Sequence, residues 1–402
     1  MTTALKTIGE LPQLQKRTDD RGDHDYLAGY AAMSPVVRDR FGMLMCFSYE
    51  NLVRIIESDK TRQPETDALP FMGISGGPIL EFFSNTLLLS NGETHKRRRT
   101  PLARSFARPL MEAMRADVRA LAETLIGPEI GRGETDFLEA IAGPLPARVI
   151  AGILGVPDTD IPHFTRLVYS AIRVLTIRSK EVLEEAAADL EDLNTYVRGL
   201  FEGGATHTRN DFLSAYLERT EGSGLSEDEI RMQIVSIILA GADTTRIALS
   251  STVSQLCKHP DQWALLKADP HGMKAAVASE GLRFDPVIGT IGQITLEPFE
   301  LDGIAIPKNM LIGGCMITAL RDPKVYADPD RFDVTRTDHP RWHPVFGAGA
   351  HRCLGEALAR VELEEALAVL AERSDAPTLV GPPPVLRGLG GTRSITAMKV
   401  AL

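Results

Sequence analysis

The chain has 402 residues and a formal net charge of −10, with 44% hydrophobic and 24% charged residues. A chain of this length and composition can build a large core, as globular proteins do. Its 4 cysteines are too few for a disulfide scaffold, and none forms a C-x-x-C pair, which argues against a structural zinc site. The negative charge argues against a protein whose main ligand is a nucleic-acid backbone.

The N-terminal segment 1–22 contains neither the apolar core of a signal peptide nor a membrane-spanning run. We therefore expect a cytoplasmic protein with no membrane anchor. The negative charge is uneven, because the segment 94–111 contains no acidic residue. Its basic side chains are Lys96, Arg97, Arg98, Arg99, Arg104 and Arg108.

Helical periodicity dominates the chain. Apolar residues recur at helical spacing in the segments 108–126, 181–201, 226–258 and 355–373. Strand patterns are confined to two places, 293–312 and the C-terminal segment 394–402. In the first of them, Asp302-Gly303 interrupts an alternating stretch as a hairpin turn does. No repeat or linker divides the sequence, which predicts one large domain, 1–402, that is mainly α with small β-sheets (α+β).

The longest predicted helix, 226–258, begins with a capping box of Ser226 and Glu229 and measures about 50 Å at 1.5 Å per residue. Its middle, Ala-Gly-Ala-Asp-Thr-Thr at 240–245, is unusual, because an interior glycine costs about 1 kcal/mol relative to alanine. Small residues there leave room for a flat ligand, and hydroxyls can bond back to carbonyls and open the helix. The alternative is a close helix crossing with a solvated Asp243.

A glycine-rich segment, 346–355, surrounds Cys353. The helical segment 355–373 follows it, and N–H groups at a helix start stabilise a thiolate. His351 and Cys353 are too close in sequence to supply a pair of ligands to tetrahedral zinc, and the glycines do not form a dinucleotide fingerprint. A single thiolate on a rigid loop is typical of an axial ligand to haem iron. The other three cysteines, Cys46, Cys257 and Cys315, are interpreted as small buried hydrophobic residues.

Several motifs occur together in one order. They are HKRRR at 95–99, AGADTT at 240–245, E-x-x-R at 280–283, DPDRF at 328–332 and FGAGAHRCLG at 346–355. With them, over roughly 85–402, the chain resembles the cytochrome P450 superfamily of haem-thiolate monooxygenases in its soluble bacterial form. The resemblance implies the P450 fold, with haem b between the long central helix and the helix after the cysteine loop. The sequence contains no flavin- or nicotinamide-binding pattern, so we expect no fused reductase.

The resemblance assigns roles to residues at the haem. Cys353 is the axial thiolate and the metal ligand, within a loop formed by Phe346, Gly347, Gly349 and Gly355. His95 and Arg99, one helical turn apart, and His351 contact the haem propionates. Gln293 stands where the family usually has an arginine directed at a propionate. Pro101 is expected to end or kink the helix that carries His95 and Arg99.

The same resemblance assigns the catalytic and structural residues. Thr244 hydrogen-bonds dioxygen and its proton-donating water, and Asp243 relays protons from solvent. Ala240 and Gly241 leave space for haem and oxygen. Glu280, Arg283 and Arg331 form a buried ion network whose disruption costs several kcal/mol.

These assignments predict a monooxygenase that hydroxylates or O-dealkylates a small, mostly apolar organic substrate. Dioxygen is the co-substrate, and electrons come from a ferredoxin-type iron–sulfur protein served by a flavin reductase. Four basic residues would attract that electron donor electrostatically: Lys96, Arg97, Arg98 and Arg104. Alternatively, these residues form only a solvated helix face. Other readings of the chain are a haem-thiolate peroxygenase or isomerase, and a non-catalytic haem-binding sensor.

Substrate contacts in the family fall on separate segments. Here those segments supply Phe71, Met72, Ile74, Ile79, Phe82, Phe83, Val168, Ile172, Leu175, Val287, Ile288 and Thr392. Arg173 and Arg178 are candidates for binding a substrate carboxylate, although a solvent-facing role is favoured for both.

Overall fold

The computed structural model describes residues 7–19, 21–67, 69–70, 73–175, 180–202 and 212–402. The α-helices are α1 (Asp23–Ala31), α2 (Tyr49–Glu57), α3 (Gly77–Asn85), α4 (Gly92–Ser105), α5 (Arg108–Ala113), α6 (Arg115–Ile126), α7 (Pro144–Leu154), α8 (Ile161–Ala171), α9 (Lys180–Glu202), α10 (Phe212–Thr220), α11 (Glu227–Lys258), α12 (Pro260–Ala268), α13 (Pro270–Phe284), α14 (Met316–Ala319) and α15 (Glu356–Arg373). A π-helix, Leu138–Ala142, precedes α7.

The strands are short. They are β1 (Val36–Arg38), β2 (Leu44–Cys46), β3 (Thr61–Arg62), β4 (Thr135–Asp136), β5 (Thr290–Thr295), β6 (Phe299–Leu301), β7 (Ile304–Ile306), β8 (Leu311–Cys315), β9 (Thr378–Leu379), β10 (Leu386–Arg387), β11 (Ser394–Ile395) and β12 (Lys399–Ala401). The expectation of only two strand regions is wrong, because β1 to β4, β9 and β10 lie outside both. Strands of two or three residues are too short to show a period in the sequence.

The described chain forms two compact units, each assembled from separate stretches of sequence. The sheet unit comprises Met1–Pro64, Ser279–Cys353 and Val385–Thr396. The helical unit comprises Glu65–Ala278, Leu354–Pro384 and Ala397–Leu402. The single domain expected over 1–402 stays a prediction.

A five-stranded sheet with the order β1-β2-β8-β5-β3 organises the sheet unit. β2 and β8 are parallel, and the other neighbours are antiparallel. The predicted hairpin is confirmed, because β6 and β7 pair with Leu301 opposite Ile304. Its two turn residues, Asp302 and Gly303, have φ values of 49° and 74°, the left-handed conformation that such tight turns require.

The helical unit is built around α11. The predicted capping box is confirmed: the Glu229 N–H donates to Ser226 Oγ over 3.1 Å, and the Ser226 N–H donates to Glu229 Oε2 over 3.0 Å. α11 contacts α7, α8, α9 and α15. By length and composition α11 could cross a membrane, but 72% of its apolar window is buried inside the protein. A core helix passes the same test, so this is weak evidence for a membrane span.

Two other helix predictions need correction. The segment 108–126 is divided into α5 and α6 at Met114. α4 does not end at Pro101 but continues to Ser105, and the Phe106 N–H still donates to Leu102 O over 2.9 Å. Proline removes one backbone hydrogen bond from a helix, while Pro101 and Leu102 are both buried here. Their packing in the core accounts for the continued helix.

Candidate functional site

Residues 346–353 of the glycine-rich segment form a closed loop in the sheet unit. Gly347 and Gly349 have φ values of 70° and 58°, which glycine adopts without a steric penalty. The Cys353 N–H donates to Phe346 O over 2.7 Å, and the Arg352 guanidinium donates to Gly347 O over 2.9 Å. These bonds fix the backbone on both sides of the turn, as the sequence predicts for a rigid ligand loop.

The thiol of Cys353 is exposed, and Gly355, two residues later, is the N-cap of α15. Cys46 and Cys315 are buried and Cys257 is half-buried. Burial raises the pKa of all three of these thiols, that of Cys257 to about 12, so they stay protonated at neutral pH. Cys353 therefore differs from the other cysteines in being accessible to a ligand.

This arrangement fits a haem. Within the described ranges, no group of three or more His, Cys, Asp or Glu side chains is placed to hold a metal ion. A porphyrin supplies four ligands to its iron, so one protein thiolate suffices. Leu354, which follows the cysteine, packs against the core that contains Leu239 and Ala242 of α11. His351 is half-buried in the turn Gly349–His351.

α4 carries the predicted propionate ligands. His95 is buried and Arg99 is half-buried, and their i,i+4 spacing places both on one face of the helix. Their role toward haem stays a prediction. On β5, Gln293 is buried and lies opposite Ile312.

The basic patch predicted on α4 needs correction. Arg98 is buried and donates to Glu229 Oε1 over 2.8 Å and to Thr86 O over 3.0 Å. Arg97 also contacts Glu229, over 3.1 Å. Because Arg98 neutralises a buried carboxylate at the start of α11, it is not available to a partner. Lys96 and Arg104 are exposed.

The centre of α11 shows one feature from each of the two alternatives that the sequence left open. These features are a hydroxyl that bonds back to a carbonyl and a close crossing with another helix. The Thr244 hydroxyl donates to Ala240 O over 2.9 Å, yet the helix is continuous from Glu227 to Lys258. A Cβ added to Gly241 would lie 2.9 Å from Cδ1 of Ile150 on α7. Gly241 therefore permits a close crossing of α7 and α11.

Asp243 is buried rather than solvated, and it forms an ion pair with Arg246. Arg246 Nε donates to Asp243 Oδ1 over 2.8 Å. The guanidinium carbon lies 4.9 Å from the ring centre of Tyr169 on α8, and the Tyr169 hydroxyl donates to Gly143 O over 2.8 Å. Sequence reasoning missed Arg246, although its i,i+3 spacing from Asp243 was a readable signal.

A second missed residue is Glu362 on α15. It is fully buried, and burial raises its pKa to about 8. Its Oε2 makes no hydrogen bond within the part of the chain that the structure describes. The neighbouring Glu365 is different, because it pairs with Arg115 over 2.7 Å and Lys274 over 2.6 Å.

The ion network near the end of α13 is partly as predicted. Glu280 and Arg283 are fully buried and joined by two hydrogen bonds of 2.7 and 2.8 Å. The prediction for the side chain of Arg331 is wrong: it is 63% exposed, and only its carbonyl accepts from Arg283. The additional buried arginine is Arg336, which is 5% exposed with Nε 3.4 Å from Glu280 Oε2. Phe332, the next residue, is buried beside Phe284, whereas the Arg331 side chain points to solvent.

The candidate substrate residues occupy both units. In the helical unit one core contains Ile74, Ile79, Phe82, Phe83, Val168, Ile172 and Leu175. In the sheet unit Val287 is buried, and Ile288 forms a bridge with Thr392. Arg173 is paired with Glu185 and Asp189. Phe71, Met72 and Arg178 lie outside the described residues.

Comparison with known proteins gives a consistent result. The cytochrome P450 family model matches residues 162–268 and 273–377. The chain is 38% identical over 388 residues to the plant-inducible cytochrome P450-pinF1 of Rhizobium radiobacter, covering 96% of this chain and 91% of that protein. It is 32% identical to the luteothin monooxygenase of Streptomyces thioluteus, covering 77% of this chain and 76% of that protein.

Solved structures agree. A myxobacterial cytochrome P450 in complex with myristic acid matches with a TM-score of 0.83 and 27% identity, covering 94% of this chain and 95% of that chain. Together with the Cys353 loop, these similarities show that the chain belongs to the cytochrome P450 family, has the P450 fold and is a P450 monooxygenase.

Proposed function

We propose that this monooxygenase binds haem b through Cys353 and hydroxylates or O-dealkylates a small, mostly apolar organic substrate in the cytoplasm. Its electrons come from a separate ferredoxin-type iron–sulfur protein and its flavin reductase. The observation that carries the proposal is the exposed thiol of Cys353 on a closed loop directly before α15, in a chain whose other cysteines are buried or half-buried.

The bound haem would supply the iron at which dioxygen is reduced and one of its oxygen atoms passes to the substrate. Cys353 would hold the group as a thiolate, favoured by the N–H groups at the start of α15. His95 and Arg99 would donate to the propionates from α4, and His351 from the cysteine loop. Gln293 would add a neutral donor.

Thr244 and Asp243 would manage protons. The Thr244 hydrogen is directed at Ala240 O, so its oxygen keeps lone pairs that can accept from a water. Asp243, buried one residue earlier on α11, would exchange a proton between solvent and that water.

An apolar substrate is supported by the character of the helical core. Ile79, Phe82, Val168 and Ile172 share one cluster with Ala242 of α11. Arg173 is paired with two acids, which argues against a role in binding a substrate carboxylate. The related myxobacterial P450 that was solved with myristic acid also accommodates an apolar chain.

The absorption spectrum of the reduced protein with carbon monoxide bound tests the cofactor site. We expect a strongly red-shifted Soret band, because a thiolate donates electron density to the iron. Cys353→Ser should abolish that shift, and Cys315→Ala, a change of a buried thiol, should keep it. A normally placed band in the unmodified protein would contradict the thiolate ligand.

Replacement of Thr244 by alanine separates monooxygenase from the other haem-thiolate functions. In a monooxygenase, product should fall and peroxide should accumulate, because proton delivery is disturbed. A peroxygenase or isomerase should be largely indifferent to the change, and a sensor should show no turnover with either residue.

The donor proposal is tested at exposed cations. Lys96→Glu and Arg104→Glu should slow reduction by ferredoxin, more strongly at low ionic strength, because opposite charges steer association. Reduction by dithionite, which needs no docking, is the control. Unchanged ferredoxin kinetics in both variants would contradict docking at α4.

A further inference from the structure

A polar cluster surrounds Asp243 within the helical unit. Asp243 is buried, and Arg246 contacts it from the next turn of α11. The Arg246 guanidinium lies over the ring of Tyr169, with 4.9 Å from its carbon to the ring centre. A long arginine side chain has many rotamers, and a ring under its planar group restricts them.

Tyr169 is itself held in place. Its hydroxyl donates over 2.8 Å to the carbonyl of Gly143, which joins the π-helix to α7. A Cβ on Gly143 would lie 2.8 Å from Leu138 O, 3.6 Å from Cδ of Arg246 and 3.7 Å from Cε2 of Tyr169. The glycine therefore allows the arginine and the tyrosine to pack against this junction.

Among the residues that the structure describes, Arg246 is the cation that pairs with Asp243. The other ionisable groups that act on Tyr169 are two acids, Glu139 of the π-helix and Glu362 of α15. Loss of the Arg246 guanidinium would thus leave the buried carboxylate of Asp243 without its counter-charge and without the donor that fixes its orientation.

We propose that Arg246 and Tyr169 are positioning residues for proton transfer: Arg246 orients the Asp243 carboxylate, and Tyr169 on α8 orients Arg246. This inference rests on the proposed function, in which Asp243 relays protons. Both residues act through Asp243, and neither contacts the reacting atoms.

The test uses the haem-loaded protein with a plant-type [2Fe–2S] ferredoxin, its flavin reductase and NADPH as electron source, and it measures oxygen consumption without added substrate. Arg246→Met should lower the rate about tenfold, a part of the 10²–10⁴ that general acid–base catalysis supplies. The solvent deuterium isotope effect should rise, because proton delivery becomes slower. Arg246→Lys should restore part of the rate.

Two variants of Tyr169 separate the contribution of its ring from that of its hydroxyl. Tyr169→Leu should reproduce most of the Arg246→Met effect, whereas Tyr169→Phe keeps the ring and should cost less. The matched control is Arg231→Met, because Arg231 forms the same i,i+3 pair near the start of α11, but with Asp228, whose carboxylate is exposed rather than buried. That variant should keep the unmodified rate and isotope effect.

Asp243→Asn distinguishes the proposed proton relay by Asp243 from the proposed positioning role of Arg246. If it leaves the rate and isotope effect unchanged, the proposed relay itself fails. If it slows the reaction while Arg246→Met does not, only the positioning role is wrong. The double variant should be no slower than Asp243→Asn alone, because both changes remove one function.

A crystal structure of Arg246→Met gives a readout independent of turnover. We expect the Asp243 carboxylate in a different rotamer, with α11 otherwise unchanged. An unmoved carboxylate would overturn the proposal. Arg246→Lys keeps the positive charge, and Tyr169→Phe keeps the aromatic ring. If larger changes prevent folding, the position of the Asp243 carboxylate can be compared in these two variants instead.

Discussion

Arg336 places its Nε 3.4 Å from Oε2 of Glu280, deep in the sheet unit. The same carboxylate already accepts two hydrogen bonds from Arg283 and one from the Asp333 N–H. Two buried arginines therefore compensate one buried glutamate, and Arg331 contributes its carbonyl only.

Arg336→Met should destabilise the protein by about 1–3 kcal/mol, because Glu280 keeps Arg283 but the backbone carbonyls to which Arg336 donates lose their donor. Arg331→Met, five residues earlier and largely exposed, should change the free energy of unfolding by less than about 0.5 kcal/mol. Urea unfolding of both variants measures the difference. Equal losses would show that the side chain of Arg331 also belongs to the network.

The sequence alone could not decide between these arginines. The DPDRF segment places Arg331 at the expected motif position, but side-chain direction depends on the turn that Asp333 makes with Thr335 through its carboxylate. Glu280 and Arg283 were predictable, because their i,i+3 spacing on a helix brings them together regardless of the turn.

Arg98→Glu should destabilise the protein by about 3–5 kcal/mol, because it would face Glu229 and leave Thr86 O without its donor. Arg104→Glu on the same helix is the control and should cost less than about 0.5 kcal/mol, since Arg104 is exposed. Thermal unfolding of both variants tests this. If Arg98→Glu left the thermal stability unchanged, Arg98 would belong to the exposed basic surface of α4 after all.

The sequence predicted the elements that depend on local pattern. The capping box of Ser226 and the hairpin at Asp302-Gly303 follow from neighbouring residues and are confirmed. The short strands β2, β3 and β4 pair with distant strands, as in Leu44 opposite Ile312, which no local window contains. The course of α4 beyond Pro101 likewise depends on tertiary burial.

The residues of the candidate site likewise divide into those that local sequence identifies and those that depend on tertiary packing. Cys353 was identifiable because its loop carries a local glycine pattern, whereas Tyr169 becomes relevant only when α8 packs beside α11. The role of Gly241 depends on both its local sequence and its tertiary packing. Its small size is visible in the sequence, but its neighbour Ile150 is visible only in the structure.

Gly241→Val should destabilise the protein by about 1–3 kcal/mol, because its branched side chain would overlap Ile150 at the crossing of α7 and α11. Gly241→Ala should be nearly neutral, since the end of the Ile150 side chain can move and alanine favours the helix by about 1 kcal/mol. In an Ile150→Ala background, Gly241→Val should cost less. Equal costs in both backgrounds would exclude this contact as the cause.

The last prediction concerns pH. Glu362 has its pKa raised from 4.5 to about 8 in the folded protein, so between these values the native state holds a proton that the unfolded state releases. The native state then binds more protons, and stability falls as pH rises through this window, levelling off above about 8. Each pH unit of the window costs about 1.4 kcal/mol.

Glu362→Gln removes this titration and should leave stability nearly unchanged at about pH 5 but raise it by a few kcal/mol at about pH 8. Urea unfolding at both pH values measures the two differences. Glu218→Gln, on the exposed face of α10, is the control and should shift neither. A change in stability of the same size at both pH values would contradict the raised pKa, because it would show that Glu362 binds its proton equally in the folded and unfolded states over this range.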